Sequence, residues 1–170
     1  MNPNPTTHQV FTMGSKPTPT THRHIFFTDF DGTITLHDSN DHLTDTLGFG
    51  PEKRRAMNLE VLHGRMPFRE NMQAMMDSVT LPFPDVIRYL VDHVELDPHF
   101  KEFYAWCRRQ DIPVVILSGG MAPVIEAIMR HELGEDVGRE IVVVSNGVEG
   151  RDGKEVTEEG GWKIVFRDDR

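Results

Sequence analysis

The sequence predicts an α/β fold: a Rossmann-like, doubly wound parallel sheet with a helical bundle inserted after its first strand. Three observations carry that expectation. Short runs dense in Val, Ile and Phe, at residues 24–29, 112–117 and 141–145, read as buried strands. Segments of helical periodicity separate them, the alternation that winds a parallel sheet. About 60 residues of helix signals, 38–97, lie between the first run and the helix that leads to the second.

Residues 1–23 contain no Asp or Glu, hold four of the eleven prolines and show no sustained apolar run, so they read as a disordered tail rather than a targeting peptide. His24–Asp29 follows as the first strand and ends at Asp-Gly-Thr. Ser39 and Asn40 can cap a first helix that stops near Gly48 or Gly50, and Pro51 suits the first position of a second that ends near Gly64. Phe68, Met72, Met75, Met76 and Val79 mark one face of a third helix; Val86, Tyr89, Leu90 and Val94 mark a fourth. The methionine stripe reads as core filler. Asp97-Pro98 opens a fifth helix, with Phe100, Phe103, Tyr104 and Cys107 on one face. The strand Ile112–Leu117 is almost continuously apolar, as when helices cover both faces of a parallel sheet. A helix over Met121–Leu133 and a strand over Ile141–Ser145 come next. Asn146-Gly147 and Asp152-Gly153 are turn signals before a last extended run, Trp162–Phe166. The expected organisation is a tail (1–23), an α/β core (24–37 and 98–170) and a helical cap (38–97).

Composition narrows the function. The 170 residues carry 27 acids against 18 bases, a net charge of −9; the tail's +2 leaves −11 for the rest. Such a chain has no electrostatic footprint for nucleic acid or an anionic membrane. One cysteine, Cys107, excludes an internal disulfide framework, and no apolar run approaches the roughly 20 residues that span a bilayer. A soluble, cytoplasmic protein is expected. The nine histidines show no metal-ligand spacing, so zinc is not expected.

Ligands of doubly wound sheets bind beyond the carboxyl ends of the strands, and two strands end there in unusual chemistry: Asp29-Phe-Asp31-Gly-Thr33 and Ser118-Gly-Gly-Met121. Carboxylates at i and i+2 before a glycine can share a hard cation. Ser118 with the amides of Gly119 and Gly120 offers a phosphate-sized cup before a helix. Together these ends describe phosphoryl transfer to a carboxylate.

With those motifs the sequence resembles the haloacid dehalogenase superfamily of phosphatases, over about residues 24–170, and its helical insertion resembles the cap of the phosphoserine phosphatase-like branch. Within that branch, Thr28–Thr35 and Leu117–Met121 look most like the methionine-salvage phosphatases acting on 2-hydroxy-3-keto-5-methylthiopentenyl-1-phosphate. The resemblance implies Asp29 as the nucleophile, Asp31 as the acid and base, and Mg²⁺ bound by the Asp29 carboxylate and the Asp31 main-chain carbonyl. Thr33, Asp38, Ser118, Gly119 and Gly120 are then the candidate phosphate- and substrate-binding residues of an enzyme for a small phosphorylated metabolite. Asp38 lies where phosphoserine phosphatases carry a substrate-reading glutamate; it can equally be an exposed acid before the next helix. Arg65 and Arg69 read as surface charges, and Cys107 as an inert core thiol.

The family also carries a lysine on a later helix and a final Gly-Asp-type motif. The lysines here are Lys16, Lys53, Lys101, Lys154 and Lys163, none on such a helix, and Asp168-Asp169 follows the hairpin in the wrong place to be that motif. The core is therefore expected to be incomplete at its C-terminal side, with the first strand left at a sheet edge. Two classes stay open: a Mg²⁺-dependent phosphomonoesterase working through an aspartyl-phosphate, or a catalytically inactive fragment, short isoform or phosphate-binding module derived from one.

Overall fold

A computed structural model describes residues 24–169, so the tail expected over 1–23 lies outside the described residues. A four-stranded sheet has the order β1 (Phe26–Thr28), β2 (Val114–Met121), β3 (Val142–Gly150), β4 (Trp162–Val165). The β1–β2 and β2–β3 pairs are parallel; β3 and β4 form an antiparallel hairpin. The α/β class and the parallel sheet expected from the sequence are both present.

Helix α5 (Phe100–Arg109) crosses from β1 to β2, and α6 (Ala122–Leu133), followed by the one-turn α7 (Glu135–Gly138), crosses from β2 to β3. The two crossovers advance in one direction along the sheet, and right-handed connections then place both helices on one face. Val114 and Ile116 of β2 are buried there in one apolar cluster with Ile125, Ile128 and Met129 of α6. Among the described residues the opposite face is open: Phe27, Leu117 and Val142 are exposed, so coverage of both faces is not what the apolar run of β2 brings. β1 lies at the sheet edge, as expected, with Ile25, Phe26 and Phe27 all exposed.

Four helices fill the segment between β1 and α5: α1 (Ser39–Leu47), α2 (Pro51–Leu62), α3 (Phe68–Asp77) and α4 (Phe83–His93). Asp38, rather than Ser39 or Asn40, caps α1. Its backbone is extended and its Oδ1 accepts from the amides of Asn40 and Asp41, both at 2.8 Å. Arg54 of α2 is 9% exposed and clamps α1, with 2.6 Å bonds to Asp41 and Asp45. Asp97 opens a turn before α5 instead of capping it: its carboxylate accepts from the His99 amide and its carbonyl from the Phe100 amide.

The helical insertion and the sheet share one apolar cluster, which joins Leu43, Met76 and Leu90 to Ile128 and Trp162. The hairpin fastens the two. Trp162 is 1% exposed, donates from Nε1 to the Leu81 carbonyl at 2.9 Å and packs on Phe83. Its connecting loop adds bonds from the Phe83 amide to the Val156 carbonyl and from the Gly160 amide to the Thr80 carbonyl. The two links into and out of the insertion are also paired, by Leu36 N to Glu95 O at 2.9 Å and Asp97 N to Ile34 O at 2.8 Å. Asp152-Gly153 does form a turn, both residues having positive φ. Asn146-Gly147 does not: it lies inside β3, because the Asn146 side chain bonds across the sheet end rather than to its own backbone.

Candidate active site

The carboxyl end of β1 runs into a loop held by one buried ring. Phe30 is fully buried, and its carbonyl accepts from the amides of Thr33, Ile34 and Thr35. Gly32 takes φ +70°, a conformation that favours glycine, which lets the chain reverse directly behind Asp31. The loop presents Asp29 and Asp31 to a cavity of about 470 Å³ that also receives Asp38, Ser118, Gly119 and Gly120. The structure therefore brings together six of the seven site residues expected from the sequence. Thr33 is the exception; it faces a separate depression beside Phe26, Phe100 and Phe103.

Asp29 is exposed; its Oδ1 accepts from the Phe30 amide at 2.8 Å, and among the described residues its second oxygen carries no hydrogen bond. Asp31 is more tightly held. Its Oδ1 accepts from the Ser39 amide at 2.7 Å and its Oδ2 from Asn40 Nδ2 at 3.0 Å. Burial, and after it the Asp38 carboxylate, push the Asp31 carboxyl up to about 6; the bonds from Ser39 oppose this in part. Asp31 can thus carry or release a proton near neutral pH, while Asp29 is placed as an open carboxylate.

The end of β2 closes the other side of the floor. Ser118 Oγ accepts from the Gly120 amide at 3.0 Å, so that amide is engaged rather than open as the sequence suggested. The carbonyls of Gly119 and Gly120 are tied down from β3, by Asn146 Nδ2 at 2.7 Å and Ser145 Oγ at 2.6 Å. A Cβ on Gly120 would come within 3.2 Å of Asp31 Oδ2 and 3.3 Å of both Asn40 Nδ2 and Ser118 Oγ. A larger residue would crowd the two-carboxylate loop unless Asp31, Asn40 or Ser118 gave way by a few tenths of an ångström.

Helices α2 and α3 supply the remaining wall, most of which sequence reasoning missed. Val61, Leu62 and Phe68 line it, with Asn58 and Asn71; Met72 and Met75 are both buried core residues and cavity lining. Asp41 faces the cavity as well, which makes four carboxylates and, among the described lining residues, no Lys, Arg or His. Arg65 and Arg69 stay outside it, in surface ion pairs with Glu60 and with Asp168 and Asp169. Lys163 pairs with Glu149. Cys107 is buried in the core, and burial pushes its thiol up. Among the described residues no helix is long and apolar enough to cross a membrane.

Comparison with known proteins agrees with this geometry. A family model described as haloacid dehalogenase-like hydrolase matches residues 26–169. The polyol phosphate phosphatase PYP1 of Saccharomyces cerevisiae is 41% identical over 145 residues, covering 85% of this chain and 58% of its own length. A 2-hydroxy-3-keto-5-methylthiopentenyl-1-phosphate phosphatase of Lysinibacillus sphaericus is 31% identical over 107 residues, 62% of this chain and 46% of that protein. The structure of a substrate-bound phosphoserine phosphatase complex superposes with a TM-score of 0.62 at 17% identity, covering 86% of this chain and 64% of the other, and shows the shared fold. The chain thus spans less than two thirds of the length of these proteins.

Proposed function

Because the chain belongs to the haloacid dehalogenase-like hydrolase family, we propose that it hydrolyses a small phosphomonoester in the cytoplasm through an aspartyl-phosphate on Asp29. One observation carries this: a free-edged carboxylate, a second carboxyl pushed up to about 6 and a serine hydroxyl meet at one cavity, at the ends of two adjacent parallel strands. In the first step the open oxygen of Asp29 attacks phosphorus and the bond to the leaving oxygen breaks. Asp31, protonated, gives that oxygen its proton. In the second step Asp31, now a carboxylate, takes a proton from water. The water attacks the phosphorus of the aspartyl-phosphate, releasing phosphate and restoring Asp29. Ser118 donates to a phosphoryl oxygen. Helices α1–α4 act as the cap that encloses the leaving group.

The donor chemistry fits Mg²⁺. Four carboxylates, with no base among the described lining residues, would repel a phosphate dianion unless a cation intervened. Among the described residues no group of three or more His, Cys, Asp or Glu is arranged to cage a metal. Magnesium is commonly held by one or two carboxylates together with waters and substrate phosphate. The Asp29 carboxylate and the Asp31 carbonyl would hold it. Bound there, it would neutralise phosphoryl charge.

Phosphate release from small esters by the pure protein with Mg²⁺ tests the proposal. Asp29→Asn should lower the rate by at least about 10³-fold; turnover that survives this change unaltered removes Asp29 as the nucleophile. The lack of a lysine or arginine among the described lining residues favours a second function, a phosphate-binding module. Binding of phosphate or beryllofluoride without any turnover would establish that one instead.

A further inference from the structure

Asn71 is a polar residue on the apolar face of α3, between Phe68 and the pair Met72 and Met75. It is 2% exposed and lines the cavity. Its Nδ2 donates to Asn58 Oδ1 of α2 at 2.7 Å, with its Oδ1 on the side away from Asn58. That Oδ1 is the sole buried side-chain oxygen or nitrogen without a hydrogen-bond partner among the described residues. Other buried polar groups are paired, including Thr35, Thr44 and Ser145. A folded chain rarely leaves such an acceptor unmatched, because the loss of hydration is not made good. Asn71 is part of the cavity wall, and its unmatched acceptor lies covered just behind that wall.

We infer that Asn71 determines substrate specificity: its Oδ1 accepts a hydrogen bond from a hydroxyl on the leaving group of the phosphate ester. The inference rests on the phosphomonoesterase proposed above. The chemical class it selects is a short-chain phosphate monoester whose leaving group carries a further hydroxyl. Among the described lining residues the cavity offers no base to receive a carboxylate on the leaving group, and its apolar residues offer nothing to a hydroxyl. Met72 and Met75 line the same wall with unbranched, adaptable side chains that can yield to an entering hydroxyl. A site built to bond a hydroxyl discriminates strongly against the analogue that lacks one, since its own buried group is then left unpaired.

Binding to the Asp29→Asn variant, which cannot turn the ester over, tests this without relying on activity. Glycerol phosphate and propyl phosphate, of equal carbon number, are titrated calorimetrically with Mg²⁺. Glycerol phosphate should bind at least about tenfold tighter. Adding Asn71→Leu should bring the two within about twofold while propyl phosphate binding persists; Asn71→Ser, which keeps a small polar residue in the helix, should do the same where Leu disturbs the fold. A preference for glycerol phosphate that survives both substitutions overturns the role of Asn71 and leaves the phosphate site intact. Equal binding of the two esters before substitution overturns it too. Failure of both esters to bind the variant, together with failure of inorganic phosphate to bind the native protein with Mg²⁺, overturns the phosphate site itself, and the inference with it.

Discussion

The two walls of the cavity are built to different standards. On the floor, both oxygens of Asp31 are bonded, Ser118 is engaged by the Gly120 amide, and the Gly119 and Gly120 carbonyls are fastened to β3. On the helical wall, Leu62 and Phe68 stand 78% and 61% exposed at the mouth, and Asn71 keeps an unmatched oxygen. The difference teaches where each task resides. Groups that must act on a phosphoryl centre are held in advance by backbone and neighbouring side chains, since displacement there costs rate. Most groups on the helical wall are apolar, with the Asn71 acceptor among them, and this wall can be varied without disturbing the floor.

Perturbing the floor should therefore do most harm. Ser118→Ala should lower kcat by roughly 10²-fold with KM changed much less, because a donor to the transferring group is lost and the Gly120 amide loses its acceptor; steady-state kinetics on a small ester read this. The cost of holding Asp31 in place should be visible in metal-free protein. Its folded pKa of about 6 lies above the ordinary 3.8, so the stability it contributes is complete below about pH 4 and is lost as pH rises through 6. Urea unfolding in EDTA should show the native sequence losing on the order of 1–2 kcal/mol relative to Asp31→Asn between pH 5 and pH 8. A pH-independent difference would mean that Asp31 is not strained by burial. The helical wall should answer more mildly: Phe68→Ala should raise KM about threefold and leave kcat alone. An equal fall in kcat would erase the distinction between the walls.

The floor was legible in the sequence because each of its parts is local. Asp29-Phe-Asp31-Gly and Ser118-Gly-Gly sit at the ends of runs whose composition already marks them as strands, and parallel pairing brings those ends together. Thr33, next to the same motif, turned away because the loop spends its amide on the Phe30 carbonyl. The helical wall was not legible. Asn58 and Asn71 are 13 residues apart on two helices, and only the packing of α2 on α3 makes them partners. Asn146 was read as a turn residue because Asn-Gly usually is one; its amide instead braces Gly119, a contact between strands that local sequence cannot announce. The methionines were read as core, which they are, but burial and cavity lining coincide at Met72 and Met75.

The three-residue β1 has a consequence for registration. It is paired on one side only, and Ile25-Phe26-Phe27 offers an apolar side chain to either face, so hydrophobic alternation barely distinguishes the observed alignment with Val114–Ile116 from one slipped by a residue. A single slip would shift Asp29 about 3.3 Å along the strand relative to Ser118. The stop against that error is Phe30, fully buried, with three amides latched onto its carbonyl. The aim of Asp29 is set by the ring that follows it, as a detent sets a sliding bolt.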